Sequence, residues 1–181
     1  MKPLPEAKRA NRAKRANRAS LTTARAALGW VVVFLAWHVV WYATGLSAPT
    51  AAVHHGAARV LFYAFSVLVY LMVAIGIAVP LALAGPAWGR RIPRRLLLFL
   101  AWAGSALLLV RGLSGVADDL LRATGVLRDG LTGLTEAQSM GTDHPSWWAV
   151  FAGDATDALF LAGGLVFGLA ALSFQRLRST G

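Results

Sequence analysis

Four long runs of apolar residues dominate the chain, and short polar segments separate them. A bilayer core about 30 Å thick is crossed by roughly 20 apolar residues, because a helix rises about 1.5 Å per residue. Each run is long enough to cross such a core. The pattern therefore predicts an all-α membrane protein with four transmembrane helices in an up-down bundle. The predicted spans are residues 26–46, 60–84, 96–117 and 147–174.

The composition also favours a membrane protein. Of the 181 residues, 57% are hydrophobic and 14% are charged, whereas about a quarter of the residues of an average soluble domain are charged. The chain contains no cysteine. This excludes disulfides, thiolate metal sites, thiol redox catalysis and c-type haem attachment.

The formal charge of +10 is distributed unevenly. Fourteen of the 18 basic residues lie in the first 25 residues, in the loop at residues 90–95 or after residue 174. Short loops that carry positive charge stay on the cytoplasmic side of a membrane. Both termini are therefore predicted to be cytoplasmic, with a basic tail at residues 1–25, a transmembrane domain at residues 26–174 and a C-terminal tail at residues 175–181. The first apolar run is longer than the roughly 7–15 residues of a signal peptide's apolar region, which predicts an uncleaved anchor.

The basic tail repeats the sequence AKRANR at residues 7–12 and 13–18. The repeat has no apolar face that could enter a membrane. We therefore expect a mostly disordered arm that lies near anionic lipid headgroups. No aromatic side chain is interleaved with the basic residues to stack on bases, which argues against nucleic acid as a partner.

A second amphipathic pattern follows the third span. Its apolar residues have helical spacing, which predicts a short interfacial helix between spans three and four, interrupted at Gly125 and Gly130. Trp147 and Trp148 then anchor the start of the fourth span at the membrane interface. The apolar positions of the predicted interfacial helix are Val116, Leu120, Leu127, Leu131 and Leu134.

The four ionisable side chains within the spans are the candidate functional residues. Counting about 1.5 Å per residue from the outer end of each span places His38, Arg111 and Asp154 about 10 Å below the outer boundary, with Asp157 a turn deeper. An unpaired charge in a bilayer costs at least about 2.5–3.5 kcal/mol, so such groups pair or line water. We expect Arg111 to pair with Asp154 or Asp157, and His38 to join them in a polar pocket.

Small residues on the fourth span support this pairing. Gly164 and Gly168 share one side of the span with the two aspartates. Because small residues let a neighbouring helix approach closely, we expect the aspartates to face protein rather than lipid.

Several functions fit such a cluster. It could specify how the helices pack, bind a small polar molecule or lipid headgroup, or serve proton-coupled transport, since histidine and paired carboxylates can titrate near neutrality. An enzyme is not expected, because no Ser–His–Asp order, metal-ligand helix motif or Gly-rich phosphate loop is present. No cofactor is expected either, because a b-type haem would need two embedded axial ligands and His38 is the only histidine within the spans. Two interpretations remain for the loop residues His54, His55, Asp143 and His144. They form a metal site outside the membrane, or they are simply exposed to water.

Three short motifs resemble those of a bacterial family of small four-helix membrane proteins that is known only as a domain of unknown function. The motifs are His38-x-x-Trp41 with Gly45, Arg111-Gly112, and Phe151-Ala152-x-Asp154. The resemblance covers roughly residues 30–172 and implies the four-span fold and the matching positions His38, Arg111 and Asp154. It implies no activity. The basic tail and the acidic outer loop depart from the family's pattern, which leaves the shape of any external vestibule open.

These patterns predict a multi-pass protein of a bacterial plasma membrane. We interpret it as a binding or accessory protein whose partner is a small polar ligand or another membrane protein. The alternative is a small proton-linked solute transporter. A carrier needs a polar route from the cluster to the cytoplasm, and the spans below His38 and Asp157 are almost wholly apolar. That difference favours binding over transport.

Overall fold

The computed structural model describes residues 6–44, 56–85, 91–131, 133, 144 and 146–176. Within these residues the protein is all-helical, as the sequence predicts. Three helices are long and apolar enough to cross a membrane, whereas α2 contributes a shorter apolar segment, Tyr70–Ala84. The helices are α1 (Glu6–Ala43), α2 (Ala57–Ala84), α3 (Arg94–Ala123) and α4 (Trp147–Arg176).

The N-terminal part of α1 differs from the sequence prediction. A mostly disordered arm is predicted up to Arg25, but the structure has continuous helix from Glu6. Alanine, lysine and arginine are among the best helix formers. In addition, the apolar part of α1 supplies an existing helix, so the basic segment extends it without the cost of nucleation. Arg15 and Arg18 remain exposed along this extension.

The end of α3 also differs from the prediction. The helix continues past residue 117 to Ala123, so Val116 and Leu120 belong to its last turns. In the described part of the chain between residues 124 and 131 there are turns and no separate helix. Gly125 and Gly130 have φ angles of 71° and 61°, a left-handed conformation that favours glycine and ends the helix. The rest of the predicted interfacial segment, including Leu134, lies outside the described residues.

A polar contact fastens this turn to α3. Asp118 pairs with Arg122 one helical turn later, with 2.8 Å between Nη2 and Oδ2. Asp118 also accepts a hydrogen bond from the backbone N–H of Leu131. The chain is therefore folded back onto the end of α3 immediately after it leaves the helix.

Helix α4 is the shared partner of α1 and α3, and it is antiparallel to both. Against α1, the hydroxyls of Thr23 and Ser173 lie 2.6 Å apart near one end, and Trp37 Nε1 donates to Thr156 Oγ1 at 2.8 Å nearer the other. Against α3, Ser105 Oγ donates to the carbonyl of Gly164 at 2.7 Å. Later residues of α1 and α3 thus contact earlier residues of α4, as they do in antiparallel helices.

Glycines allow the close approach of α3 and α4. A Cβ atom added at Gly112 would lie 2.6 Å from the backbone nitrogen of Leu161, and one added at Gly164 would lie 2.5 Å from Leu109 Cγ. Real Cβ atoms do not make such contacts. The two backbones therefore touch without side chains between them, which is the small-residue packing expected of helices in a membrane.

The buried apolar side chains cluster in one half of the bundle, which we call the packed end. Here α1 and α3 come together with the last turns of α2 and α4. In the other half, called the polar end, the described buried residues include Gly115, Ala152 and Asp157 of α3 and α4 and Gly130 of the turn that follows α3. The members of the packed cluster are Ala24, Ala27, Val31, Val79, Ala82, Leu83, Leu97, Ala101, Phe167, Ala170 and Ala171.

Candidate functional site

An ion pair between α3 and α4 forms the centre of the polar end. Arg111 Nη1 lies 2.7 Å from Asp157 Oδ1. The two partners differ strongly in exposure, since the Arg111 side chain is 53% exposed and that of Asp157 only 11%. The contact is therefore an ion pair between an enclosed carboxylate and a half-exposed guanidinium, whose outward face stays accessible.

Two glycines of α3 make room for the buried carboxylate. A Cβ atom added at Gly115 would overlap the carboxylate of Asp157, and one added at Gly112 would lie 2.9 Å from the backbone oxygen of Asp157. Asp157 can enter the helix interface only because both positions lack a side chain. Burying a carboxylate is costly unless a charge of opposite sign is close, which explains the position of Arg111 beside it.

An aromatic residue that the sequence analysis missed borders the ion pair. The guanidinium carbon of Arg111 lies 5.1 Å from the ring centroid of Phe160, within the range of a cation–π interaction. Phe160 also packs edge-on against Phe34 of α1, with 5.3 Å between ring centroids. Phe160 falls one turn after the second aspartate of α4. That spacing would have placed it on the same face of the helix.

His38 does not join the ion pair. Its Nδ1 lies 2.8 Å from the backbone oxygen of Phe34 in its own helix. With the proton on Nδ1, the imidazole donates to this carbonyl. The ring also packs on Phe34, with 4.1 Å between centroids. Among the described residues, His38 Nδ1 is thus satisfied within its own helix, and ring contacts run from His38 through Phe34 to Phe160, the ring that borders Arg111.

Asp154 is exposed and lies near a carboxyl group that sequence reasoning assigned to the loop. Asp119 of α3 and Asp154 of α4 are close enough for their charges to repel one another. Ionised carboxylates are acceptors only, so a group that lies between them must donate hydrogen bonds or carry positive charge. Arg111, Gly115 and Asp119 follow one another at steps of four residues. Extending α3 by two turns would have revealed this shared face.

The charges of the polar end are therefore only partly balanced. Arg111 offsets Asp157, and Arg122 offsets Asp118. Asp119 remains beside Asp154 with no described basic partner for either. The carboxyl groups that face one another across the α3–α4 interface leave this corner of the site suited to a proton or to a group that donates hydrogen bonds.

No group of three metal-ligating side chains is close enough to hold a metal ion among the residues that the structure describes. The external metal site considered from the sequence rests on His54, His55 and Asp143, which lie outside the described residues, and on His144, which is exposed.

Comparisons with protein-family models, curated proteins and solved structures give no match to this chain.

Proposed function

We propose that this is a multi-pass protein of a bacterial plasma membrane with four spans in an up-down bundle. The three long apolar helices and the antiparallel packing of α4 support this arrangement. Helix α2 has 28 residues, which gives a length of about 42 Å at about 1.5 Å per residue, enough to cross the bilayer. The concentration of basic residues near the packed end supports cytoplasmic termini and an external polar end.

We further propose that the protein binds a small polar ligand or a membrane protein partner at its polar end. The observation that carries this proposal is the unequal burial of the ion pair, with Asp157 enclosed and Arg111 half exposed. An ion pair that served helix packing alone would stabilise the fold most if both of its charges were buried between the helices, away from lipid. Here the guanidinium is fixed on its inner side and keeps donors on its outer side. Charged groups at such depth in a bilayer face a partner or water.

The chemistry of the ligand follows from the groups around Arg111. The guanidinium can donate to a carboxylate, phosphate or carbonyl oxygen. The carboxyl groups of Asp119 and Asp154 can accept from an amine or hydroxyl. A ligand with an acceptor at one end and a donor at the other fits both, and the same pattern could be offered by polar side chains of a partner helix.

The test is mass spectrometry of the protein extracted gently from native membranes. We expect the wild type to retain a lipid, small molecule or protein that the double variant Asp119→Asn with Asp154→Asn loses. The amides have nearly the same shape as the carboxylates, remove both of these charges and leave the Arg111–Asp157 pair intact. Asp129→Asn is the matched control, because Asp129 is exposed near the end of α3. Equal retention by all three proteins, or retention of nothing by the wild type, contradicts a binding site at the polar end.

Proton-linked transport is the second candidate, and the closeness of Asp119 and Asp154 favours it, since a proton taken up between two carboxylates would relieve their repulsion. In its disfavour, the interface below the ion pair consists of small and apolar residues in the described chain, such as Leu109 and Phe167. Vesicles that contain the protein and an internal pH dye separate the two candidates. Proton entry that Asp154→Asn abolishes would support transport, and a rate equal to that of empty vesicles would support binding.

The exposed basic residues of α1 support a further partner, the anionic lipid of the cytoplasmic leaflet. Each basic side chain close to such a surface contributes about 1 kcal/mol. Because α1 is a continuous helix rather than a flexible arm, residues nearest the apolar part, such as Arg18, should contribute most. The potential of the surface falls off over a Debye length of about 8–10 Å.

A further inference from the structure

A groove at the packed end lies where α3 begins. It has a volume of about 370 Å³ and is lined by Pro93, Arg94, Arg95 and Leu98. The surface that lines it is almost wholly apolar, and the exposed side chains of Arg94 and Arg95 border it. Arg91 is exposed a few residues earlier in the chain. The groove thus combines an apolar floor with a strongly basic rim.

One wall of the groove is fixed in place. Arg94 Nη2 donates to the backbone oxygen of Phe174 at 2.5 Å, and its guanidinium carbon lies 4.6 Å from the centroid of the Phe174 ring. The side chain is therefore held against the last turns of α4. A ligand that enters the groove meets an arginine that is already ordered, which lowers the entropy cost of binding.

The rim carries charge that no described carboxylate offsets. The ion pairs of the described chain, Arg111 with Asp157 and Arg122 with Asp118, both lie at the polar end. Arg91, Arg94 and Arg95 therefore place like charges near the start of α3 without a counter-ion from the part of the chain that the structure describes. An anion is the missing partner, and arginine binds phosphate oxygens through two parallel N–H groups.

We propose that this groove binds the phosphate of an anionic phospholipid. Arg91 and Arg95 contact the phosphate, Arg94 supplies the ordered wall, and Leu98 receives the first methylene groups of an acyl chain. The position of the groove favours a lipid over free phosphate. It lies at the start of a helix whose next turns are apolar, so the basic rim falls at headgroup level and the floor faces the acyl chains. This site is separate from the polar end and rests on the proposal that α3 crosses the membrane.

The experiment uses the full chain in nanodiscs of phosphatidylcholine that contain a minor fraction of phosphatidylglycerol. Native mass spectrometry then measures the phosphatidylglycerol retained. Each arginine near an anionic surface strengthens lipid binding about fivefold, so Arg91→Gln with Arg95→Gln should weaken retention about 25-fold. Both side chains are exposed, so we expect the variant to fold, which circular dichroism verifies. Arg128→Gln removes one exposed charge at the polar end, away from both the groove and the basic part of α1, and is the control for a single change, Arg95→Gln, in the groove.

Retention that falls only in the groove variant supports the site. An equal fall in the control would show a diffuse effect of net charge and overturn it, as would unchanged retention in both variants. Displacement of the lipid by millimolar inorganic phosphate would identify a free-phosphate site instead. Membrane fractionation is done first, before any lipid is measured. If the protein does not fractionate with membranes, the proposal that it crosses the membrane fails, and this outcome is distinct from failure of the lipid site.

Discussion

Removing one charge of the Arg111–Asp157 pair should harm the protein more than removing both. Arg111→Leu leaves the carboxylate of Asp157 in the helix interface, where that residue is only 8% exposed. Breaking a buried pair in this way typically costs about 3–5 kcal/mol. Because Arg111 is itself half exposed, solvent and headgroups screen part of the interaction. We therefore expect a loss near the lower limit, about 3 kcal/mol.

Asp157→Asn completes the comparison. The amide has nearly the shape of the carboxylate and so respects the tight contact with Gly115. With both changes present no ionised group is left in the interface. The loss in the double variant should then be smaller than the sum of the two single losses by about 2 kcal/mol, since neighbouring charges couple by about 0.5–3 kcal/mol.

The assay is reversible unfolding in detergent mixtures, followed by tryptophan fluorescence, for the wild type, both single variants and the double variant. Arg128→Leu is the control, because Arg128 is exposed and a surface change of this kind stays within about 0.5 kcal/mol. If the single losses add to the double loss within about 0.5 kcal/mol, the charges do not interact, and the argument for a fixed guanidinium at the polar end is wrong.

Three further predictions concern the packing and the orientation of the helices. Gly115→Ala should destabilise the fold by about 1–3 kcal/mol, because the added methyl group would overlap a buried carboxylate. Gly104→Ala is the control and should be tolerated, because the atom nearest to its methyl group is 3.8 Å away. Equal unfolding midpoints for the two variants would refute the close approach of α3 and α4. Ser105→Ala removes a hydrogen bond to α4 and should lower the free energy of unfolding by about 0.5–1.5 kcal/mol in the same assay. An unchanged free energy of unfolding would show that the hydroxyl does not make this bond. Cysteines at Asn11 and Val126 should react with an impermeant maleimide from opposite sides of the membrane, and reaction of both from outside would exclude cytoplasmic termini.

The helices were predictable from the sequence because their signal is local. The apolar run of residues 147–174 corresponds to α4 within two residues at its end, and the run of residues 60–84 corresponds to α2 within three residues at its start. The errors occur where a helix continues in polar sequence. Alanine, lysine and arginine extend α1 back to Glu6, and the acidic turn of Asp118 and Asp119 extends α3. Hydrophobicity does not detect such extensions, because they depend on helix propensity and on a helix that already exists.

Sequence reasoning about the site used depth and one helix face. Counting residues placed His38, Arg111 and the two aspartates at similar levels, and the small residues of α4 indicated that the aspartates face protein, but no pattern gave the direction of His38. Whether side chains at the same level on two helices meet depends on the rotation of each helix about its axis. Helix α1 faces α4 through Trp30, Phe34 and Trp37, which are spaced by four and three residues. His38 comes one turn after Phe34 and lies at the edge of this face, where its ring packs on Phe34 and its Nδ1 contacts the backbone of its own helix.

The apolar core and the candidate site lie in different halves of the bundle. At the packed end, Ala27 and Ala101 are fully buried and α2 contributes Val79 and Leu83, so four helices share one apolar core. At the polar end, the buried residues of the described helices come from α3 and α4, and two glycines leave room for a carboxylate between these closely packed helices. A site built on one tight helix pair keeps its geometry even where the other helices contribute little to its burial. That arrangement leaves Arg111 and Asp154 accessible without loosening the core, which is what a binding surface near one end of a small membrane bundle requires.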